Sequence, residues 1–147
     1  KNRGLLSCKL FSDGEFNDIL YVDGGVSSTQ TTGFVKMQGQ EVFKHAVSKL
    51  VEAGSCALDA ANLTKDDVSW VVPHQANLRI IKNTVKKMAI NYNKVVLTVQ
   101  KHGNTSAASI PLALSTASDE KKFQKGDVIL LKAIGGGLAW GAAVLGW

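Results

Sequence analysis

The chain has 147 residues, of which 45% are hydrophobic and 20% charged, and its net charge is +5 at pH 7. This length and composition predict one globular domain with its own core. The longest apolar runs have the length of strands, which excludes a membrane-spanning helix. Basic residues are scattered and no aromatic-rich RNA-binding strand occurs, so nucleic acid is not an expected partner, whereas an acidic protein is.

The amino-terminal part of the chain predicts two short strands and a linker. Residues 5–11 alternate imperfectly in hydrophobicity and predict a strand, and residues 18–22 predict a second one after the turn signal Ser12-Asp13-Gly14. The polar stretch at 26–33, Val-Ser-Ser-Thr-Gln-Thr-Thr-Gly, indicates a linker or long loop. It is the best candidate for a domain boundary.

Helices and strands alternate in the rest of the chain. Apolar residues at helical spacing predict one helix over 38–62 and a second over roughly 76–90. A third helix is predicted by the small residues that begin at Ala107. Short apolar runs predict strands at 69–72, 95–99, 128–134 and 138–145. This alternation predicts an α/β layered domain with a mixed sheet.

Two motifs carry most of the chemical information. One is Val-Pro-His-Gln-Ala-Asn at 72–77 and the other is His-Gly-Asn-Thr-Ser at 102–106. Each puts a small polar group just after an apolar run, at a predicted strand end. A thioester-condensing site needs this arrangement, because two neutral donors must converge on one carbonyl oxygen. No cysteine lies in a matching context, so we expect the chain to hold half of a site.

These motifs, with Gly-Gly-Gly-Leu-Ala-Trp-Gly at 135–141, resemble the β-ketoacyl-acyl-carrier-protein synthase III family. They occur in the family's order and span nearly the whole chain. The resemblance implies a thiolase-like layered half-domain with a mixed five-stranded sheet flanked by helices. It assigns residues 1–33 to the end of the amino-terminal thiolase half plus a linker, and residues 34–147 to the carboxy-terminal thiolase-like domain.

The resemblance also implies a reaction. The family is an acyltransferase that condenses acetyl-CoA with malonyl-carrier protein, losing carbon dioxide, and so initiates fatty-acid synthesis; it needs no cofactor beyond these substrates. By resemblance, His74 and Asn104 are the oxyanion donors, and the backbone N–H of Gly136 completes an oxyanion hole for the acyl-cysteine.

The nucleophilic cysteine is expected outside this chain, in a missing amino-terminal half. Cys8 lies in a strand-like segment and Cys56 inside a predicted helix, whereas a nucleophilic thiol belongs at an electropositive helix N-terminus. The two cysteines show no metal or redox spacing, so we expect free thiols, no metal and a cytoplasmic protein. The chain starts without methionine, and we expect it to be cut from a longer product and inactive alone.

Further residues match substrate-binding positions of the family. Asn77 and Gly39 match positions near the phosphopantetheine arm. Phe43 and Met37 match residues of the acyl channel, although apolar residues in such elements belong to the core by default.

A set of basic residues indicates a surface for a partner. Several of them lie at helical spacings of three and four and hence on one face, which is either simply solvated or a dock for the acidic acyl carrier protein. The residues are Arg79, Lys82, Lys86, Lys87 and, from the preceding helix, Lys44.

The resemblance further implies a homodimer when the enzyme is complete, and two alternatives stay open. One is a related thiolase-fold condensing enzyme with a different acyl starter, since Ile134 and Leu138 depart from the aromatic residues expected near the glycine turn. The other is a non-catalytic thiolase-fold module that binds the carrier protein. A cysteine-bearing partner chain would argue against this second alternative.

Overall fold

The structure, a computed structural model, describes residues 3–147 and contains six strands and three α-helices. The strands are β1 (Gly4–Ser12), β2 (Leu20–Val22), β3 (Val35–Met37), β4 (Trp70–Pro73), β5 (Val128–Gly135) and β6 (Ala139–Gly146). The helices are α1 (Gly39–Ala60), α2 (Leu78–Lys87) and α3 (Ser109–Asp119). No helix in this described part is long and apolar enough to cross a membrane.

The main sheet has the strand order β1-β6-β5-β4. Strands β4 and β5 are parallel and the other pairs are antiparallel, so the predicted mixed sheet is confirmed. It has four strands where five were expected. Residues 95–99 lie along the β4 edge but make only one bridge, between Val95 and Val71, with the Val96 N–H donating to the Val71 carbonyl at 2.9 Å. Beyond that point their backbone bonds to a side chain instead of a strand.

The sheet crosses the boundary that the resemblance put at residue 33. Strand β1 pairs with β6 from Gly4 opposite Gly146 to Ser12 opposite Ala139. The Ser7 hydroxyl also donates to the Ala57 carbonyl of α1 at 2.6 Å. Residues 4–12 therefore form an edge strand of the same sheet as the later strands, and the division at residue 33 stays a prediction.

Helices cover both faces of the sheet, because the buried residues of its strands alternate between one face and the other and both faces are apolar. Val71 and Leu130 point to a core shared with α1 and α2. Their neighbours Val72 and Ile129 point to the opposite core, which α3 covers. This alternation of period two gives three layers with the sheet in the middle.

The long helix α1 ends in a C-terminal capping motif. Asn62 adopts a left-handed conformation with φ of 53°, and the Leu63 N–H donates to the Leu58 carbonyl at 3.0 Å. This is the Schellman arrangement, in which the residue after the helix satisfies carbonyls that the last turn leaves free. The predicted helix over 38–62 thus agrees with Gly39–Ala60 to within two residues at each end.

Candidate functional site

Three loops meet around one open cavity of about 1360 Å³. His74 follows the carboxyl end of β4, and the glycines 135–137 lie at the carboxyl end of the parallel strand β5, of which Gly135 is the last residue. The third loop brings Asn104 from the 102–106 motif. Crevices at the carboxyl ends of parallel strands are the usual ligand sites of α/β sheets. Here His74 of the first motif and Asn104 of the second both line the cavity at that end of the sheet.

His74 is held at its backbone and half-buried at its side chain. Its N–H donates to the Lys132 carbonyl at 2.8 Å, which extends the β4–β5 ladder by one residue. Burial lowers the pKa of His74 below its usual value of 6.5, while interaction with the Asn104 side chain acts in the opposite direction and more weakly. The lowered pKa favours a neutral imidazole, which can still donate one hydrogen bond.

Asn104 sits at the turn of its loop in a left-handed conformation, with φ of 47°. Asparagine tolerates this region better than most residues do. Its N–H donates to the Gln75 carbonyl at 2.9 Å, and the preceding turn is closed by the His102 N–H donating to the Thr98 carbonyl at 2.7 Å. The backbone of this loop is therefore bonded to the chain immediately after His74.

Gly136 lies where only a residue without a side chain fits. A Cβ atom added there would stand 2.8 Å from the Leu20 carbonyl oxygen, so the glycine loop approaches the backbone at the start of β2. Gly136 is exposed and lines the same cavity as His74 and Asn104. The structure thus brings together all three residues that the resemblance assigned to oxyanion binding.

Comparison with known proteins identifies this arrangement. Residues 58–147 match the family model described as 3-oxoacyl-[acyl-carrier-protein (ACP)] synthase III C terminal. The chain belongs to this family. Over all 147 residues it is 60% identical to the β-ketoacyl-[acyl-carrier-protein] synthase III of Ruegeria pomeroyi, and the Paracoccus denitrificans protein of the same name is 60% identical over 146 residues.

Solved structures of synthase III give the same result. The Aquifex aeolicus enzyme superposes with a TM-score of 0.91 at 39% identity and the Pseudomonas aeruginosa enzyme with 0.91 at 32%, each covering 100% of this chain. The thiolase-like fold is therefore confirmed. The chain spans 45% of the Ruegeria relative and 46% of the Aquifex chain, so it corresponds to less than half of either protein.

The residues that the resemblance assigned to substrate binding divide into two groups. Met37, Gly39 and Asn77 line the cavity. Asn77 also caps α2, because its Oδ1 accepts from the Arg79 N–H at 2.9 Å, which leaves the Nδ2 group for a ligand. Phe43 is not among the cavity-lining residues; the Arg79 guanidinium lies 5.3 Å from the centroid of its ring, and the channel role stays a prediction.

The predicted basic surface lies on α2 and the start of α1. The α2 sequence, Leu78 to Lys87, contains no acidic residue, and its basic side chains are exposed. None of these α2 side chains forms an ion pair with another residue of 3–147. Lys44 differs, because it lies 3.7 Å from Glu41 and part of its charge is neutralised. The unpaired part of the basic surface is therefore Arg79, Lys82, Lys86 and Lys87, which we call the α2 basic face.

The cysteines lie where the sequence predicted, in β1 and in the interior of α1. Cys8 is exposed and lines the cavity, whereas Cys56 is half-buried in the helix. Neither stands at a helix N-terminus, the position that activates a thiol. In the described residues no three His, Cys, Asp or Glu side chains cluster closely enough to hold a metal ion.

Two buried polar residues near the site did not emerge from the sequence. Gln75, inside the first motif, is fully buried and hydrogen-bonded through its amide. Lys132 is 1% exposed, and burial lowers its pKa from 10.5 to about 7. Its Nζ lies 3.2 Å from Met88 Sδ, and no carboxylate of residues 3–147 forms an ion pair with it. The only sequence signal for Lys132 was one lysine within the apolar strand run Val128–Gly135.

Proposed function

We propose that this chain is the carboxy-terminal half of a β-ketoacyl-acyl-carrier-protein synthase III, which condenses acetyl-CoA with malonyl-carrier protein. The observation that supports this most is the meeting of His74, Asn104 and Gly136 around one cavity from three separate loops. A missing amino-terminal half supplies the nucleophilic cysteine. The complete enzyme is a cytoplasmic homodimer, as the family resemblance implies.

The reaction has two stages in which charge develops on a thioester oxygen. The cysteine thiolate takes the acetyl group from acetyl-CoA and releases coenzyme A. Malonyl-carrier protein then loses carbon dioxide, and the electron pair of the broken C–C bond passes into an enolate whose oxygen accepts hydrogen bonds from His74 and Asn104. The enolate carbon attacks the acetyl carbonyl, the resulting oxyanion is held by the Gly136 N–H, and collapse expels the cysteine thiolate and yields acetoacetyl-carrier protein.

Neutral donors suit this chemistry. A dry pocket strengthens each hydrogen bond to the developing oxyanion, but it also penalises any donor that must carry a charge. The amide of Asn104 never titrates, and the lowered pKa of His74 keeps its imidazole neutral. Both donors can therefore be oriented in advance without the free-energy cost of burying a cation.

The α2 basic face docks the acidic carrier protein. Arg79 is two residues beyond Asn77, which lines the cavity, so the Arg79 end of the face is the part that lies next to the cavity. A cationic surface next to the site increases the rate of encounter with an anionic partner and orients its prosthetic arm. Lys44 contributes less because Glu41 neutralises it in part.

The residues beside the glycine loop bear on which starter acyl group the enzyme accepts. Ile134 lines the cavity beside the glycine loop, and Leu138 is fully buried on its other side. A branched or longer starter than acetyl would need space near these residues. Comparing kcat/KM for acetyl-CoA with that for longer and branched acyl-CoA substrates distinguishes an acetyl starter from a larger one. A higher kcat/KM for a larger acyl group would contradict acetyl as the starter.

The direct test uses His74→Ala and Asn104→Ala in the complete enzyme, with His45→Ala as the matched control. His45 is half-buried in α1, where it packs on Phe16, and it does not line the cavity. Removing one oxyanion donor lowers kcat by roughly 10²–10³-fold, so we expect that loss in malonyl-carrier protein decarboxylation for the first two variants only. Unchanged decarboxylation in both would contradict the proposal. A complete protein that binds carrier protein without any turnover would favour the non-catalytic module.

A further inference from the structure

Gln75 occupies a fully buried position between the two proposed donors, with an exposed fraction of 0%. Its Nε2 donates to the Pro73 carbonyl at 2.9 Å and to the Val96 carbonyl at 3.0 Å. Its Oε1 accepts from the Thr98 N–H at 2.8 Å. Its backbone carbonyl accepts from the Asn104 N–H at 2.9 Å. One residue thus contacts the end of β4, the edge segment and the loop of the second motif.

These hydrogen bonds replace a missing strand ladder. Residues 95–99 make a single bridge to β4, and beyond it the Gln75 side chain accepts and donates the hydrogen bonds that a neighbouring strand would otherwise make. The amide thus joins this segment, which precedes the loop that carries Asn104, to the end of β4. Both amide hydrogens are used, and no other neutral side chain of this length supplies two donors and an acceptor in one plane.

Gln75 does not line the cavity, so it cannot contact substrate from this position. We propose that Gln75 is a positioning residue of the condensing site, whose hydrogen bonds fix Asn104 relative to His74 so that both donors reach one oxygen. The inference rests on the proposed roles of His74 and Asn104. A misplacement of about 1 Å in a catalytic group is enough to lower a rate roughly 10²-fold, so a small relaxation of this loop has a measurable effect.

The first test is a double-mutant cycle in the complete enzyme. Gln75→Met keeps the length of the side chain and removes the three hydrogen bonds of the amide, whereas the backbone hydrogen bond from the Asn104 N–H remains. We expect kcat for malonyl-carrier protein decarboxylation to fall about 10–100-fold with KM within about twofold, because positioning affects the transition state and not binding. If Gln75 acts through Asn104, the variant Gln75→Met/Asn104→Ala is no slower than Asn104→Ala alone.

Thr84→Val is the matched control for the loss of a buried hydrogen bond. Thr84 is 2% exposed, and its hydroxyl donates to the Ile80 carbonyl at 2.7 Å within α2, away from both motifs. We expect its kcat to stay within about twofold of the unmodified enzyme even where its melting temperature falls as far as that of Gln75→Met. Equal losses of kcat in the two variants at equal stability would overturn the positioning role.

Gln75→Glu tests the role of the amide through the pH dependence of activity. The ionised carboxylate accepts from Thr98 but has no proton for the carbonyls of Pro73 and Val96, whereas the protonated acid regains one donor. We therefore expect the ratio of Gln75→Glu activity to unmodified activity to rise as the pH falls, and the ratio for Gln75→Met to stay flat. This variant also decides the matter if Gln75→Met fails to fold.

The outcomes separate the two proposals. If His74→Ala and Asn104→Ala lower decarboxylation but the Gln75 variants do not, the positioning role alone fails. The positioning role also fails if the loss of kcat in Gln75→Met/Asn104→Ala equals the product of the two single-variant losses. It fails likewise if the relative activity of Gln75→Glu does not change with pH. If His74→Ala and Asn104→Ala leave decarboxylation unchanged, the proposed function itself fails.

Discussion

Burial of His74 determines the form in which it can act. Desolvation disfavours the imidazolium and lowers the pKa of His74, with interaction from Asn104 opposing it in part. We expect the ring-carbon NMR titration of His74 in the complete enzyme to give a pKa below 6.5. Protonation then favours the unfolded chain, so the stability contributed by the neutral ring is present above pH 6.5 and is lost as the pH falls through the folded pKa. A pKa above 6.5 would contradict the neutral-donor account.

Lys132 makes stability depend on pH in the alkaline range. Its pKa is about 7 when folded and 10.5 as the ordinary value, so between these values the unfolded chain binds more protons and stability rises with pH. Below pH 7 Lys132 is protonated in both the folded and the unfolded chain, and the full cost of burying its charge lowers stability. We expect Lys132→Met to raise the free energy of unfolding by a few kcal/mol, on the order that such a shift implies, near pH 7.

The measurement is urea unfolding from pH 6 to pH 10, with Lys125→Met, at an exposed lysine, as the control for loss of a surface charge. The gain in free energy of unfolding from Lys132→Met should shrink as the pH rises towards 10. A gain that is constant with pH would show that the folded protein does not bury a charged lysine at this position.

At the scale of elements, the α2 basic face has a specific role to test. Arg79→Glu/Lys82→Glu should raise KM for malonyl-carrier protein at least about tenfold and weaken its dependence on salt, because steering contributes 10–10³-fold to encounter. Turnover of a small malonyl thioester should be unchanged. Lys121→Glu/Lys125→Glu is the matched control, since these residues precede β5 at the end of the sheet opposite the site. Equal effects of both double variants would assign the result to net charge alone.

The helices were predictable because their information is local. The 3.6-residue spacing of apolar positions gave α1 to within two residues at each end, and α2 begins where Asn77 caps it. The segment 95–99 was predicted as a strand and is not one. Its apolar run is genuine, but the Thr98 N–H bonds to the side chain of Gln75, twenty-three residues earlier in the chain. No local pattern carries that partner.

The candidate site was predictable to the extent that its residues lie in motifs. His74 and Gly136 follow the ends of the parallel strands β4 and β5, and parallel strands bring such ends together. Asn104 follows the segment 95–99 beside β4 and lines the same cavity. The family resemblance placed Phe43 at the channel, whereas its ring packs against the Arg79 guanidinium, a contact that no sequence pattern indicated, and the channel role stays a prediction. Lys132 was missed because a single lysine in a strand run reads as an edge or exposed position until its burial is known.

For the molecule as a whole, the cavity opens on a surface that carries several large, exposed apolar side chains. Leu10, Val35 and Met37 line it and are 80%, 70% and 62% exposed. Contiguous exposed apolar residues of this kind mark an interface. The chain spans 45% of its Ruegeria relative, and the amino-terminal half that we propose would cover this surface and bring its cysteine to the cavity.

The most direct measurement is a crystal structure of the complete enzyme bound to a stable malonyl thioester mimic that carries a negative oxygen in place of the enolate. The account predicts that one oxygen lies about 2.7–3.1 Å from both the His74 imidazole nitrogen and the Asn104 amide nitrogen. It also predicts a cysteine of the amino-terminal half facing the same cavity. A mimic whose oxygen is bound by other groups, with His74 or Asn104 out of hydrogen-bonding reach, would contradict the two-donor site.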